Sequence, residues 1–229
     1  MNNVKASELI DAVLEEADMV GSEFVSRKTV LRFLNSELRE LHDILVCSYE
    51  AYMVKTDERT LSAGEVNIQL PDDFFKLWAI IFSSSNGTQV VLNRFFANEL
   101  SSVTGPESSI SDAYGTNLSY MIIDNRITLL PPPSGGENIN MLYIPQFTKL
   151  ESEDDSVHIR IPVGWEDFVI PGAVARCLLK EESDPSGAFM LKDRARQHII
   201  DMAEERDESR NFRITDKYNW IDRNYGGDF

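Results

Sequence analysis

Three histidines, two cysteines and a few adjacent acid pairs are the side chains of this 229-residue chain with types suited to chemistry. His42, His158 and His198 fall in three different elements with no metal-ligand spacing around them. His42 and His198 sit on or beside helical stripes and read as structural residues. Cys47 and Cys177 lie inside apolar helical patterns and read as buried small hydrophobes in a reducing compartment, without a disulfide. The acid pairs are Asp72-Asp73, Asp154-Asp155 and Glu166-Asp167. Two carboxylates act as acid and base on a glycosidic bond when the right gap separates them. Adjacency in sequence is weak evidence for that gap, and among 38 acidic residues such pairs arise by chance. Glu166 and Asp167 suit the positive end of a helix dipole better. No Gly-rich phosphate loop and no Gly-x-Ser-x-Gly occurs, so the sequence offers no catalytic, metal or cofactor set. A carboxylate-based hydrolase acting on cell-wall sugar stands as the enzymatic alternative.

Charge bounds the partners. Against 38 acidic residues stand 22 basic ones, a net charge of −16. Such a surface repels phosphate backbones, and no run of Lys and Arg offers a footprint for nucleic acid. The plain reading is solubility. Two further readings are an acidic surface beside which DNA slides without sticking, and a soluble acidic adaptor or DNA mimic that titrates a basic partner. The first residues are polar without an apolar core of signal-peptide length, and no apolar run approaches a membrane span. These features predict synthesis and folding in a cytoplasm, with no membrane partner.

A hydrophobic fraction of 42% and an aromatic fraction of 10% predict a folded core. Ser7 is placed to cap a first helix with Ile10, Val13, Leu14 and Ala17 on one face and Gly21 past its end. Ser26 is placed to cap a second, where Leu34, Leu38, Leu41, Leu45, Ser48 and Tyr52 alternate steps of four and three. From Lys55 the period changes to two. Val66, Ile68 and Leu70 alternate with polar residues, and 77–82 is a continuous apolar run. Asn86-Gly87 predicts a hairpin turn, as does Asp124-Asn125 between 118–123 and 127–130. Phe95 begins a short helix, 101–117 is a long exposed loop, 139–144 is another strand, and the acidic 151–155 is a solvated linker.

Residues 163–210 carry two helical patterns joined by Ser183-Asp184-Pro185, which predicts an antiparallel pair. Trp165, Phe168, Val169, Gly172, Ala175 and Leu179 form the stripe of the first, where Pro171 either kinks the helix or marks its start. Ala188, Leu191, Ala195, His198, Ile199 and Met202 form the packed side of the second, with Lys192 and Arg194 on the solvated side. The fold class predicted is α+β, mostly α: a helical bundle with an inserted antiparallel β-hairpin region and an extended C-terminal arm. Its parts are N-terminal bundle helices (1–54), a β-rich insertion (55–161), a C-terminal helix pair of the bundle (162–210) and the arm (211–229).

That arm is unusual for a free end. Phe212, Ile214, Tyr218, Trp220, Ile221, Tyr225 and Phe229 crowd into it, and exposing each large apolar side chain forfeits about 1.5–3 kcal/mol of burial. Two readings follow: the arm folds back over its own bundle, or it docks through aromatic anchors on a neighbouring copy or another protein.

The order of elements, with Leu70-Pro71-Asp72-Asp73-Phe74, Ile127-Thr128-Leu129-Leu130-Pro131-Pro132-Pro133, Tyr143-Ile144-Pro145 and Ile161-Pro162 ahead of a helix pair, resembles the head-to-tail adaptor (connector) proteins of tailed bacteriophages. The likeness covers residues 31–210. It implies a non-enzymatic virion protein of the neck, between capsid and tail, assembled in the host cytoplasm. The implied partners are the portal protein above, a tail or nozzle protein below, and further copies in a closed ring of twelve that continues the DNA channel without binding DNA specifically. A C-terminal extension that grips the portal has its counterpart in 211–229.

Overall fold

A computed structural model of the chain describes residues 4–84, 87–95, 118–130, 132–159 and 162–205. Helix α1 (Ala6–Glu16) follows Lys5, which makes no side-chain cap, so Ser7 lies within the first turn and not at the N-cap position. The orphan donors of that turn are met from elsewhere: Ala6 N–H donates to Asp155 O at 2.8 Å and Ser7 N–H to Glu153 O at 3.0 Å. The acidic 151–155 is therefore a capping segment and not a bare linker. It is locked by Asp155, whose carboxylate accepts from Ser152 N and Glu151 N and is held below the usual carboxylate range by those bonds. Strand β1 (Val4–Lys5) pairs with the short strand (Ser156–Val157) that follows this segment.

Helix α2 (Arg27–Ser48) starts where Ser26 accepts a bond from Thr29 N–H, as its cap position predicts. Leu34, Leu38, Leu41 and Leu45 are buried. The helix stops at Ser48, and a 3-10 turn (Glu50–Tyr52) follows. The seam therefore passes to Tyr49, whose hydroxyl donates to Ile199 O at 3.0 Å, while Tyr52 is exposed. Cys47 is exposed as well, against the expectation of burial, because it projects about 200° around the helix from Leu45.

The strands are β2 (Lys55–Thr60), β3 (Asn67–Gln69), β4 (Phe74–Ser83), β5 (Gln89–Val91), β6 (Asn93–Arg94), β7 (Ser119–Ile123), β8 (Arg126–Leu130), β9 (Asn138–Pro145) and β10 (Ser156–Val157). One sheet has the order β2-β9-β4-β5 and the other β3-β8-β7-β6, each antiparallel except for the parallel pair β6–β7. Both predicted hairpins form, β4–β5 with Gly87 at φ 85 and β7–β8 with Asp124 at φ 56. Pro71 to Phe74 makes a tight corner in which Phe74 N–H donates to Pro71 O.

The prediction of a mostly helical bundle carrying inserted hairpins is overturned. Of the described residues 40% are helical and 27% strand, and the strands make multi-stranded sheets, an α+β fold. Ile68, Ile80, Phe82, Ile127, Leu129, Ile139 and Met141, drawn from both four-stranded sheets, form a core of their own apart from the helical one. Alternation along the sequence shows a strand's buried face, whereas β2 with β9 and β3 with β8 are partners far apart in the chain.

Helix α3 (Glu166–Lys180) is the centre of the helical layer, packing on α1, on α2 and on α4 (Ser186–Glu205). Trp165, Phe168, Val169, Ala173 and Cys177 are buried, Pro171 lies inside the helix, and Leu179 faces solvent. Two contacts fasten α2 to the chain at and after the end of β9. The Asn35 amide donates to Leu31 O and Leu150 O and accepts from Leu150 N–H, and His42 Nε2 lies 3.0 Å from Pro145 O at the end of β9.

Candidate assembly surfaces

The chemistry-bearing residues are dispersed, and most have structural partners. His42 is engaged by Pro145 O and stands edge-on to Phe75 at 5.9 Å. His158 follows β10, and His198 is exposed on α4. Among the described residues no three His, Cys, Asp or Glu side chains come together to hold a metal ion. Of the acid pairs, Asp73 is bonded by Lys55 Nζ at 2.9 Å and by the Tyr143 hydroxyl at 2.7 Å. Those two bonds hold its carboxyl below the usual range, and burial together with Asp73 pushes the Tyr143 phenol up to about 12. Asp155 caps the 151–155 turn, and Glu166 and Asp167 occupy the first turn of α3.

The densest charge cluster lies between helices. Glu37 on α2 is 1% exposed and is bound by Arg176 of α3 and by Lys192 of α4, whose Nζ stands 2.7 Å from Oε2. Lys192 also reaches Glu40 at 2.6 Å and lies 4.9 Å from the centre of the Phe168 ring. Gly172 makes room for this carboxylate. A β-carbon there would stand 2.1 Å from Glu37 Oε2. The cluster is a fastener, since a buried carboxylate must be paired and each partner comes from a different helix.

This fastener corrects the reading of α4. Its packed side is Ala188, Lys192, Ala195, Ile199 and Ala203, whereas Leu191, His198 and Met202, predicted to pack, face outward. Leu191 is 54% and Met190 70% exposed. The sequence signal that would have found this is the small-residue ladder of alanines at 188, 195 and 203 with Lys192 within it. Charge alone misassigned the lysine.

A second feature lies where α1 gives way to α2. A cleft of about 410 Å³ opens between the end of α1 and the start of α2, with Leu14, Met19 and Val25 as its apolar wall and Asp11 and Glu15 at its rim. Val20 stands at its mouth, 72% exposed. On the sheets, Phe75 and Trp78 of β4 are also exposed. Apolar surface left bare on a chain with a sufficient core marks places where another protein binds. No described helix is long and apolar enough to cross a membrane.

The arm residues assigned to docking from the sequence, Phe212, Trp220 and Phe229 among them, lie outside the described residues, as do the loop 101–117 and all of the short helix expected after Phe95. Comparison with curated proteins finds no match. A family model does match, that of the SU10 adaptor protein, over residues 4–215, which takes in both four-stranded sheets and all four described α-helices. With a match over most of its length, the chain belongs to the SU10 adaptor protein family, a family of phage head-to-tail adaptors.

Proposed function

We propose that the protein is a non-enzymatic component of the virion neck, assembled as a closed ring, of twelve copies, beneath the portal. The ring extends the DNA channel and gives tail proteins a platform. The observation that carries this reading is the adaptor-family match across residues 4–215. The exposed apolar surfaces on α1–α2 and α4 support it, because a ring needs two different patches on each copy. The net charge of −16 suits a channel wall that must let DNA pass without holding it.

In this reading the parts divide the work. The helices and sheets, residues 1–210, build the ring body, and residues 211–229 are an arm whose aromatic side chains grip the portal. The test is the mass of the full chain with and without the portal protein of the same virus, beside a truncation lacking 211–229. The full chain gives a large closed assembly with portal. The truncation stays folded and soluble and no longer binds. Portal binding unchanged by the truncation would remove the arm from the account, and a full chain that never assembles with portal would remove the ring.

A further inference from the structure

A closed ring relates neighbours by rotation about one axis with no translation along it. The two contacting surfaces must therefore differ, lie on opposite flanks of a copy and stand at the same height. Two features of the helical layer are candidates for such a pair of surfaces. Helices α1 and α4 both pack on α3 but make no packed interface with each other. Both features also sit toward the end where α3 stops: Lys180, the last residue of α3, donates to Phe24 O in the α1–α2 turn and lies over the Phe24 ring at 5.2 Å. Six residues later α4 begins.

Their chemistries are complementary. Residues 6–26 hold six acidic side chains and no basic one, whereas residues 186–200 hold Lys192, Arg194 and Arg196 against Asp193 alone. In a chain of net charge −16, most of the surface repels a second copy, so neighbours approach most easily where one side is locally basic. Lys192 is taken up internally by Glu37 and Glu40, but Arg194 and Arg196 are exposed. Met190 and Arg194 are one turn apart on the outer side of α4, with Leu191 beside them. The α1–α2 cleft offers exposed Val20 and, in its lining, Glu15, with Leu14, Met19 and Val25 buried behind them; Arg27 in its lining is held by Asp11 and Glu153.

Resting on the ring reading, we infer that the outer side of α4 is the lateral contact of the ring: Met190 and Leu191 of one copy seat in the α1–α2 cleft of the next, with Arg194 set against Glu15. The occupant of the cleft is thus a second copy of this chain.

The experiment uses the full chain carrying Cys47→Ser, which removes the exposed thiol. Val20→Cys and Met190→Cys are made on separate chains, mixed, assembled with portal and oxidised, and assembly is followed by mass. Alongside, Arg194→Glu is compared with the Arg194→Glu/Glu15→Arg pair. The expected result is a cross-link between the two different chains only in the assembled material, a loss of assembly of at least about tenfold with Arg194→Glu, and recovery in the charge-swapped pair. Rings that form without the cross-link, and that tolerate Arg194→Glu, would overturn this interface and leave the ring standing. A wild-type chain that stays monomeric with portal would overturn the ring and this contact together.

Discussion

Glu37 and Gly172 occupy one space: the carboxylate of the first, 1% exposed, lies where the second has no side chain, and a β-carbon at 172 would stand 2.1 Å from Oε2. A long side chain could normally swing aside from a methyl group, but this one is held by Arg176 and Lys192 from two other helices. Gly172→Ala is therefore expected to cost about 1–3 kcal/mol as an overpacked contact. In a double-mutant cycle with Glu37→Ala the two losses are less than additive. Urea midpoints at unchanged slope measure both, and full additivity would mean that the two residues do not compete for space.

The partners of Glu37 differ in how much they matter. Lys192 is 12% exposed and Arg176 41% exposed. Lys192→Met leaves a buried carboxylate with one partner at the rim and is expected to cost about 3 kcal/mol. Arg176→Met removes a cation that is itself 41% exposed and screened by solvent, leaves Lys192 on the carboxylate, and is expected to cost about 1 kcal/mol. Equal losses in urea unfolding would contradict the fastener role of Lys192.

Asn35 spends its whole amide on two backbone segments, giving to Leu31 O and Leu150 O and taking from Leu150 N–H at 2.8 Å. Asn35→Ala strands both backbone groups of Leu150 in the interior, at about 1–3 kcal/mol for each group left unmet. Amide exchange at Leu150 should accelerate in the variant while that of α2 is little changed. Protection at Leu150 equal to wild type would refute the clamp.

The Asp73–Tyr143 bond gives stability two pH limits. Asp73 has a lowered carboxyl pKa, from its bonds to Lys55 and Tyr143, so its contribution is present above the ordinary carboxylate value and is lost as pH falls through the depressed one. The Tyr143 phenol is raised from 10.0 to about 12, so its contribution is present below pH 10 and is lost as pH rises from there toward about 12. Tyr143→Phe should flatten the alkaline limb of a stability-against-pH curve, and Asp73→Asn the acid limb. Unaltered limbs in both variants would count against the bond.

The two cysteines should differ in reactivity. Cys47 is exposed, whereas Cys177 is buried and its thiol is pushed up to about 11 by that burial. One thiol per native chain should react rapidly with a disulfide reagent, and two after unfolding. Fast reaction of both in the native protein would show that the α3 core opens readily.

By itself the sequence determined what neighbouring residues decide among themselves. Ser26 capping α2, the Leu34-Leu38-Leu41-Leu45 seam, and the β4–β5 and β7–β8 hairpins are written in spacings of a few residues and in turn residues that accept positive φ. The adaptor family was legible too, through the order of elements and the proline stops. Tertiary structure decided the rest, because those choices depend on partners far along the chain. Lys192 turns inward and Leu191 outward because Glu37 and Glu40 wait on α2, the latter 152 residues away, and an unpaired buried carboxylate costs more than an exposed leucine. The hairpins became two sheets with a shared core because β9 lies between β2 and β4 and β3 pairs with β8, pairings that no local pattern encodes.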